Sequence, residues 1–376
     1  MNNVSDNELY QKHLATIWGV KPLDELTNSE VEDAFNTLLD ILPNNGKLYK
    51  YRSFEKEKFD WYYDALKNGY LWFSQAEKLN DDFDTVLYFD TAIEAENIKN
   101  YLLQNPVLYF KAVINMSDEP LLQFYNDLDS TAFYKVLDCY DLNSGKLNIS
   151  KGIKLLSNLG VSNKNAIKFI NKIDKFVKQF ILNNEEAINT TVGYLVNINQ
   201  NIRRDSYIYS MSESYSSNPL WAFYSDNNQG FCIEYDFNKA KDFDIDKKRK
   251  LLTTFKVIYS DEVDNYSFVN VLRYILTGKK DNKLFSKANK DLFYQLMTKQ
   301  SDWSFEKEWR IMLMNLDDGK VYFDLVSKII IDERVIESAE SKKLIELCKE
   351  KGWSVWVRKT QYINVAHKFE QLIQER

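Results

Sequence analysis

The chain has 376 residues, with 49 basic against 55 acidic side chains for a net charge of −6, and only five prolines and eleven glycines. That length can bury a substantial core in one large or two ordinary domains, and the scarcity of proline and glycine excludes collagen-like repeats, long linkers and low-complexity tracts. The acidic balance disfavours a generic phosphate-backbone binder and leaves one local basic stretch, Lys247-Lys248-Arg249-Lys250, read as a solvated loop.

Three widely separated cysteines, Cys139, Cys232 and Cys348, and two histidines, His13 and His367, offer neither zinc-ligand spacing nor a disulfide framework. So few histidines weaken any Ser-His or Cys-His hydrolase. No apolar run approaches the length of a membrane span, so the expectation is a reduced, cytoplasmic protein with no membrane contact and no metal.

Residues 1–46 read as a helical amino-terminal segment. The alternating run Lys47 to Arg52 then predicts a strand, and Phe59, Tyr62, Tyr63 and Leu66 at helical spacing predict a helix from about Phe54 to Asn68, capped by Gly69. A strand at Tyr70–Phe73 and a turn at Asn80-Asp81-Asp82 complete a strand-helix-strand opening unit, the first part of a core over 47–90. Residues 91–201 are almost wholly helical in pattern, most clearly from Asn163 to Asn183, where Ala166, Phe169, Ile170 and Ile173 begin one apolar stripe. This region reads as a helical insertion.

The core resumes over 202–376. Strands are expected at Tyr207–Ser212, Gly230–Tyr235 and Phe255–Tyr259, then helices at Tyr266–Leu276 and Lys283–Thr298, then a strand at Trp309–Met314. A strand near Ile329, a helix ending at Gly352, a strand through Trp356 and a final helix containing His367 close the chain. The class is α+β: a mixed or antiparallel sheet with a largely helical insertion.

Four clusters combine aromatics with single polar groups. In the first strand, alternation puts Lys50 and Arg52 on one face and Tyr49 and Tyr51 on the other. The second, from Phe73 to Phe83, is most simply a strand end and an Asx-rich turn; its Asp81, Asp82 and Asp84 read as an element boundary in preference to nuclease metal ligands. In the third, Ser210 and Ser212 point the same way from one strand, and Trp221 and Tyr224, three apart, form an aromatic wall suited to ligand or core. In the fourth, Glu306 and Glu308 project together from an extended segment beside Arg310. Carboxylates so placed repel unless a cation intervenes, which makes either a structural ion network or a site that stabilises a cationic transition state.

In this order the clusters resemble the bacterial family catalogued as domain of unknown function 2971. The matching pieces are LYKYRSF at 48–54, LWFSQAEKLNDDFD at 71–84, SMSE with NPLWAFYSDNNQGFCIEYD over 210–236, KVIY at 256–259 and KQSDWSFEKEWRI at 299–311. The layout is also similar to that of mono-ADP-ribosyltransferases, with a first-strand arginine, a Ser-x-Ser step and a Glu-x-Glu. That resemblance implies an ADP-ribosyltransferase fold with NAD as substrate. Arg52, beside Tyr51, would hold the pyrophosphate, Ser210 and Ser212 would build the nicotinamide pocket, and Trp221 or Tyr224 would stack on the ring. Glu308 would stabilise the ribosyl cation and Glu306 would position or activate a protein or nucleic-acid acceptor. It further implies a toxic effector of a phage-defence or toxin-antitoxin system, with an antitoxin or defence partner on the helical insertion. The alternative is a non-catalytic nucleotide- or protein-sensing module in which Glu306, Glu308 and Arg310 are structural.

Overall fold

In the computed structural model the described residues are 4–19, 22–79, 81, 84–86, 90–104, 136, 139, 147–182, 193, 197, 201–262, 269, 290, 292–361 and 366–373. The chain forms two compact units. One comprises Met1–Val86, Asn201–Val263 and Phe293–Arg376, and the other Leu87–Gln200 and Asp264–Leu292. Apart from Val269, the expected helix Tyr266–Leu276 lies outside the described residues, as do the turn positions Asn80 and Asp82.

The first unit is built on strands β1 (Lys47–Ser53), β2 (Tyr70–Trp72), β3 (Ser74–Gln75), β4 (Ser206–Ser212), β5 (Gly230–Asp236), β6 (Thr254–Lys256), β7 (Ile258–Tyr259), β8 (Thr298–Lys299), β9 (Glu308–Met314), β10 (Lys320–Tyr322), β11 (Val326–Asp332), β12 (Ser354–Gln361) and β13 (Ala366–Ile373). Among the described residues nine of these form one mixed sheet in the order β13-β12-β11-β5-β1-β4-β9-β6, with β3 also paired to β4. Only β11 and β12 run parallel within it, joined by the crossover helix Ala339–Lys351. The α+β expectation therefore holds at the level of class.

Strand alternation sorts the side chains into two cores. Tyr209, Met211, Phe231, Ile233, Trp309, Ile311, Ile329 and Ile331 face a large core, shared with Phe35 and Leu38 of the helix Asn28–Ile41, Phe59 and Leu66 of Lys56–Asn68, and Leu344 and Leu347 of Ala339–Lys351. Thr27 opens the first of these helices with a reciprocal capping box to Glu30, and Gly69 closes the second in the left-handed conformation its sequence position predicts. Tyr49, Tyr51, Leu220, Trp221, Cys232 and Ile330 form a smaller core on the opposite face.

The second unit contains the helices Thr91–Gln104, Ile149–Ser157 and Asn163–Leu182. Ala166 and Ile170 of the last are fully buried, as the apolar stripe requires, and a Cβ on Gly152 would approach the Ile170 side chain to 2.9 Å.

Three expectations need correction. Residues 366–373, expected as a helix around His367, are strand β13, because the exposed edge of β12 takes them as an antiparallel partner and Phe369 packs on Tyr215 at 4.9 Å. The opening strand-helix-strand unit is present, with β1 in the main sheet and β2 paired with β10 in a separate two-stranded ribbon. The basic stretch is no loop but the helix Ile245–Leu251, started by the Asp244 cap, with Lys248 buried against Glu32 at 2.6 Å. The helix expected to reach Thr298 gives way to β8, since Thr298 and Lys299 pair in parallel with Ile258 and Tyr259.

Candidate functional site

Strand β1 pairs with β5 over seven consecutive positions but with β4 only at Tyr49↔Ser212. Beyond that rung the two strands diverge, and the ammonium of Lys50 crosses the opening to donate to the carbonyl of Ser210. A cavity of about 190 Å³ occupies the split; Tyr51, Arg52, Ser210, Ser212, Tyr224, Glu306 and Glu308 all line it, together with Lys50, Asp84 and Lys299. The first-strand cluster, the serine pair and the glutamate pair thus meet in one place, with β4 lying between β1 and β9.

The serines lie inside β4, in register with β9: Ser210 opposite Arg310 and Ser212 opposite Glu308. The strand expected at Tyr207–Ser212 is therefore central in the sheet, between β1 and β9. Ser212 is buried; its hydroxyl donates to the carbonyl of Glu306 at 2.6 Å and accepts from the amide of Ser214 at 3.1 Å. Its bonds tie the turn before β9 to the end of β4, which is a scaffold role. The hydroxyl of Ser210 bonds the Glu308 carboxylate.

Glu306 and Glu308 converge, but not by strand alternation. Glu306 ends the short 3-10 turn Ser301–Glu306, Lys307 takes a left-handed backbone (φ +46°), and Glu308 opens β9. The reversal at Lys307 brings both carboxylates onto the buried ammonium of Lys299, 2.7 Å from Glu306 and 3.4 Å from Glu308. Arg310 then holds both oxygens of Glu308, at 2.7 and 3.0 Å, and both oxygens of the buried Asp84, at 2.7 and 2.6 Å. Tyr224 donates its hydroxyl to Glu306.

These contacts split the two glutamates electrically. Burial opposes ionisation of Glu308, yet the charges of Arg310 and Lys299 outweigh it and hold its pKa down at about 2. At Glu306 burial and the neighbouring negative charge of Glu308 prevail over Lys299 and Tyr224, and its pKa is raised. One carboxylate is therefore a fixed anion and the other is poised to take a proton. Burial, reinforced by Arg52, depresses the pKa of Lys50 well below that of an ordinary lysine.

Two expected site residues sit otherwise than foreseen. Trp221 is fully buried and does not line the cavity: its indole N–H donates to the carbonyl of Tyr215 at 2.8 Å, and its ring meets Tyr51 edge-on and the Arg358 guanidinium at 4.7 Å. Helical spacing put it beside Tyr224, but the helix Asn218–Tyr224 turns it inward, so it serves the smaller core. Arg52 reaches the cavity from the other face of the sheet, as alternation along β1 dictates; its guanidinium lies over the Tyr62 ring at 4.4 Å. Tyr51 donates to the carbonyl of Ser214 at 2.7 Å, and burial raises its pKa.

Lys299 carries no reading of its own in the sequence, Asp84 reads there as an element boundary, and Lys50 as the strand-face neighbour of Arg52; none of the three is expected in the site. Asp84 closes one of the motif strings and Lys299 opens another, and a buried glutamate pair demands cations nearby, which was the available signal. Among the described residues no group of histidine, cysteine or carboxylate side chains is arranged to hold a metal ion, and none of the helices is long and apolar enough to cross a membrane.

No curated protein and no solved structure matches the chain. Residues 220–311, which carry Tyr224, Lys299, both glutamates and Arg310, match the family described as Protein of unknown function (DUF2971).

Proposed function

We propose that the protein is an NAD-consuming enzyme of the ADP-ribosyltransferase type. The observation that carries this reading is the meeting of Arg52, Ser210, Tyr224, Glu306 and Glu308 on one cavity at the split between β1 and β4. In this reading the bond between nicotinamide and ribose C1′ breaks, nicotinamide leaves as a neutral molecule, and positive charge develops on the ribose. Glu308, ionised at any physiological pH, faces that charge from a fixed position, oriented by Arg310 and Ser210. Lys50 and Arg52 line the same cavity, and in this reading Arg52 meets the phosphates of the dinucleotide. The acceptor, a protein or nucleic-acid group or water, attacks C1′ and passes its proton to Glu306, whose raised pKa suits a base. A toxic role in bacterial phage defence, governed by an antitoxin or other partner on the helical unit, extends the same proposal.

One observation favours a second reading. Both oxygens of Glu308 are already bonded to Arg310, and Lys299 approaches one of them. An anion so neutralised suits a non-catalytic nucleotide- or protein-sensing module, whose network holds the sheet together. Incubation with NAD separates the two: the enzyme releases nicotinamide and the module does not.

A further inference from the structure

A second cavity, of about 610 Å³, lies on the large-core side of β1, between the helix Lys56–Asn68, the β2/β10 ribbon and the main sheet. Its volume is within the range of roughly 300–1,000 Å³ usual for small-molecule sites. Trp61, Tyr62, Tyr70, Trp72 and Tyr209 contribute rings to its walls. Trp61 is 72% exposed and Trp72 50% exposed, an expensive way to display indoles unless something covers them. Two cations line the same space. Arg52 lies over Tyr62 at 4.4 Å, and Lys320 over Tyr70 at 5.0 Å and Trp72 at 5.5 Å. The one carboxylate lining the cavity, Asp64, is engaged by the Tyr70 hydroxyl at 2.7 Å and by Asn68 at 2.9 Å.

Aromatic walls that already carry two cations repel a cationic guest such as a quaternary ammonium and favour a planar ring joined to an anion. We infer that this cavity binds a nucleotide, its base stacked between the exposed indoles and the tyrosines and its phosphates on Arg52 and Lys320. Arg52 borders both cavities and is the one residue shared with the transferase reading; neither Glu306 nor Glu308 takes part here.

The test is titration of the full chain with ADP, read by tryptophan fluorescence and by calorimetry, with adenosine and inorganic pyrophosphate as partial probes. Saturable quenching by ADP, tighter than by either partial probe, is expected. Trp61→Ala, at an exposed position, and Lys320→Ala, at a half-buried one, should each weaken ADP binding by about tenfold, the loss of one stacking or charge contact, with cooperative melting retained. Glu308→Gln should bind ADP as the wild type does, which keeps this result apart from the fate of the transferase reading. Absence of saturable ADP binding at millimolar concentration, or equal affinity in wild type, Trp61→Ala and Lys320→Ala, would overturn the proposal.

Discussion

Asp84 and Arg310 form a bidentate ion pair, at 2.7 and 2.6 Å, between side chains that are almost completely buried and 226 positions apart in the chain. The pair ties the segment after β3 to the middle of β9. Removing one partner strands the other charge in a low-dielectric interior. Asp84→Asn should therefore lower the unfolding free energy by about 3–5 kcal/mol, measured by urea denaturation at neutral pH. A loss within experimental error of zero would show that Glu308 alone satisfies Arg310.

His13 offers a pH test away from the site. It is fully buried, one ring nitrogen donates to the carbonyl of Thr254 at 2.8 Å, and Nδ1 has no partner among the described residues. Burial, only partly offset by that bond, lowers its pKa from 6.5 to about 4. A depressed histidine contributes stability that is complete above the unfolded pKa and is lost as pH falls through the folded one. Between pH 6.5 and 4 the wild type should lose about 3 kcal/mol that His13→Phe does not lose. Parallel stability curves for the two proteins over that window would contradict the assignment.

Lys307 sets the convergence of the glutamates through its left-handed backbone. Glycine enters that region freely, whereas a β-branched residue is opposed by its own Cβ substituents. Lys307→Gly should melt close to the wild type, and Lys307→Val should lose about 1–2 kcal/mol. Equal stability of the two variants would indicate that the turn rearranges.

How far the sequence anticipates this arrangement depends on whether a feature is local. Strands β1, β4, β5 and β9 and the helix capped by Gly69 were readable because alternation, helical spacing and a terminal glycine are written within a few residues. Strand β13 was not: Ala366-His367-Lys368-Phe369 supports either period, and only the open edge of β12 decides. The partnership of Asp84 with Arg310 has no local signature at all. The pairing of Glu306 with Glu308 was expected from an extended segment, but a turn at Lys307 delivers it, and the position of Trp221 follows from which face of a two-turn helix the smaller core recruits.

Glu308 is depressed to about 2, which predicts a site charge that survives mild acid. Its contribution to stability should be complete above the unfolded carboxylate range and fall away as pH drops from about 4.5 towards 2, by about 3 kcal/mol. Glu308→Gln should remove that acid-limb slope in urea midpoints; a slope unchanged by the substitution would place the acid-sensitive charge elsewhere.

Nicotinamide release from NAD by the wild-type chain and by Glu308→Gln is the most direct test of a catalytic Glu308. Asp84 still pairs Arg310 in the variant, so it should remain folded, with a reduced but cooperative melting transition. The wild type should release nicotinamide, and the variant should do so about 10²–10³ times more slowly, the usual cost of removing one group that stabilises transition-state charge. A folded wild-type protein that releases no nicotinamide, or a variant that releases it at the wild-type rate, would contradict the transferase reading.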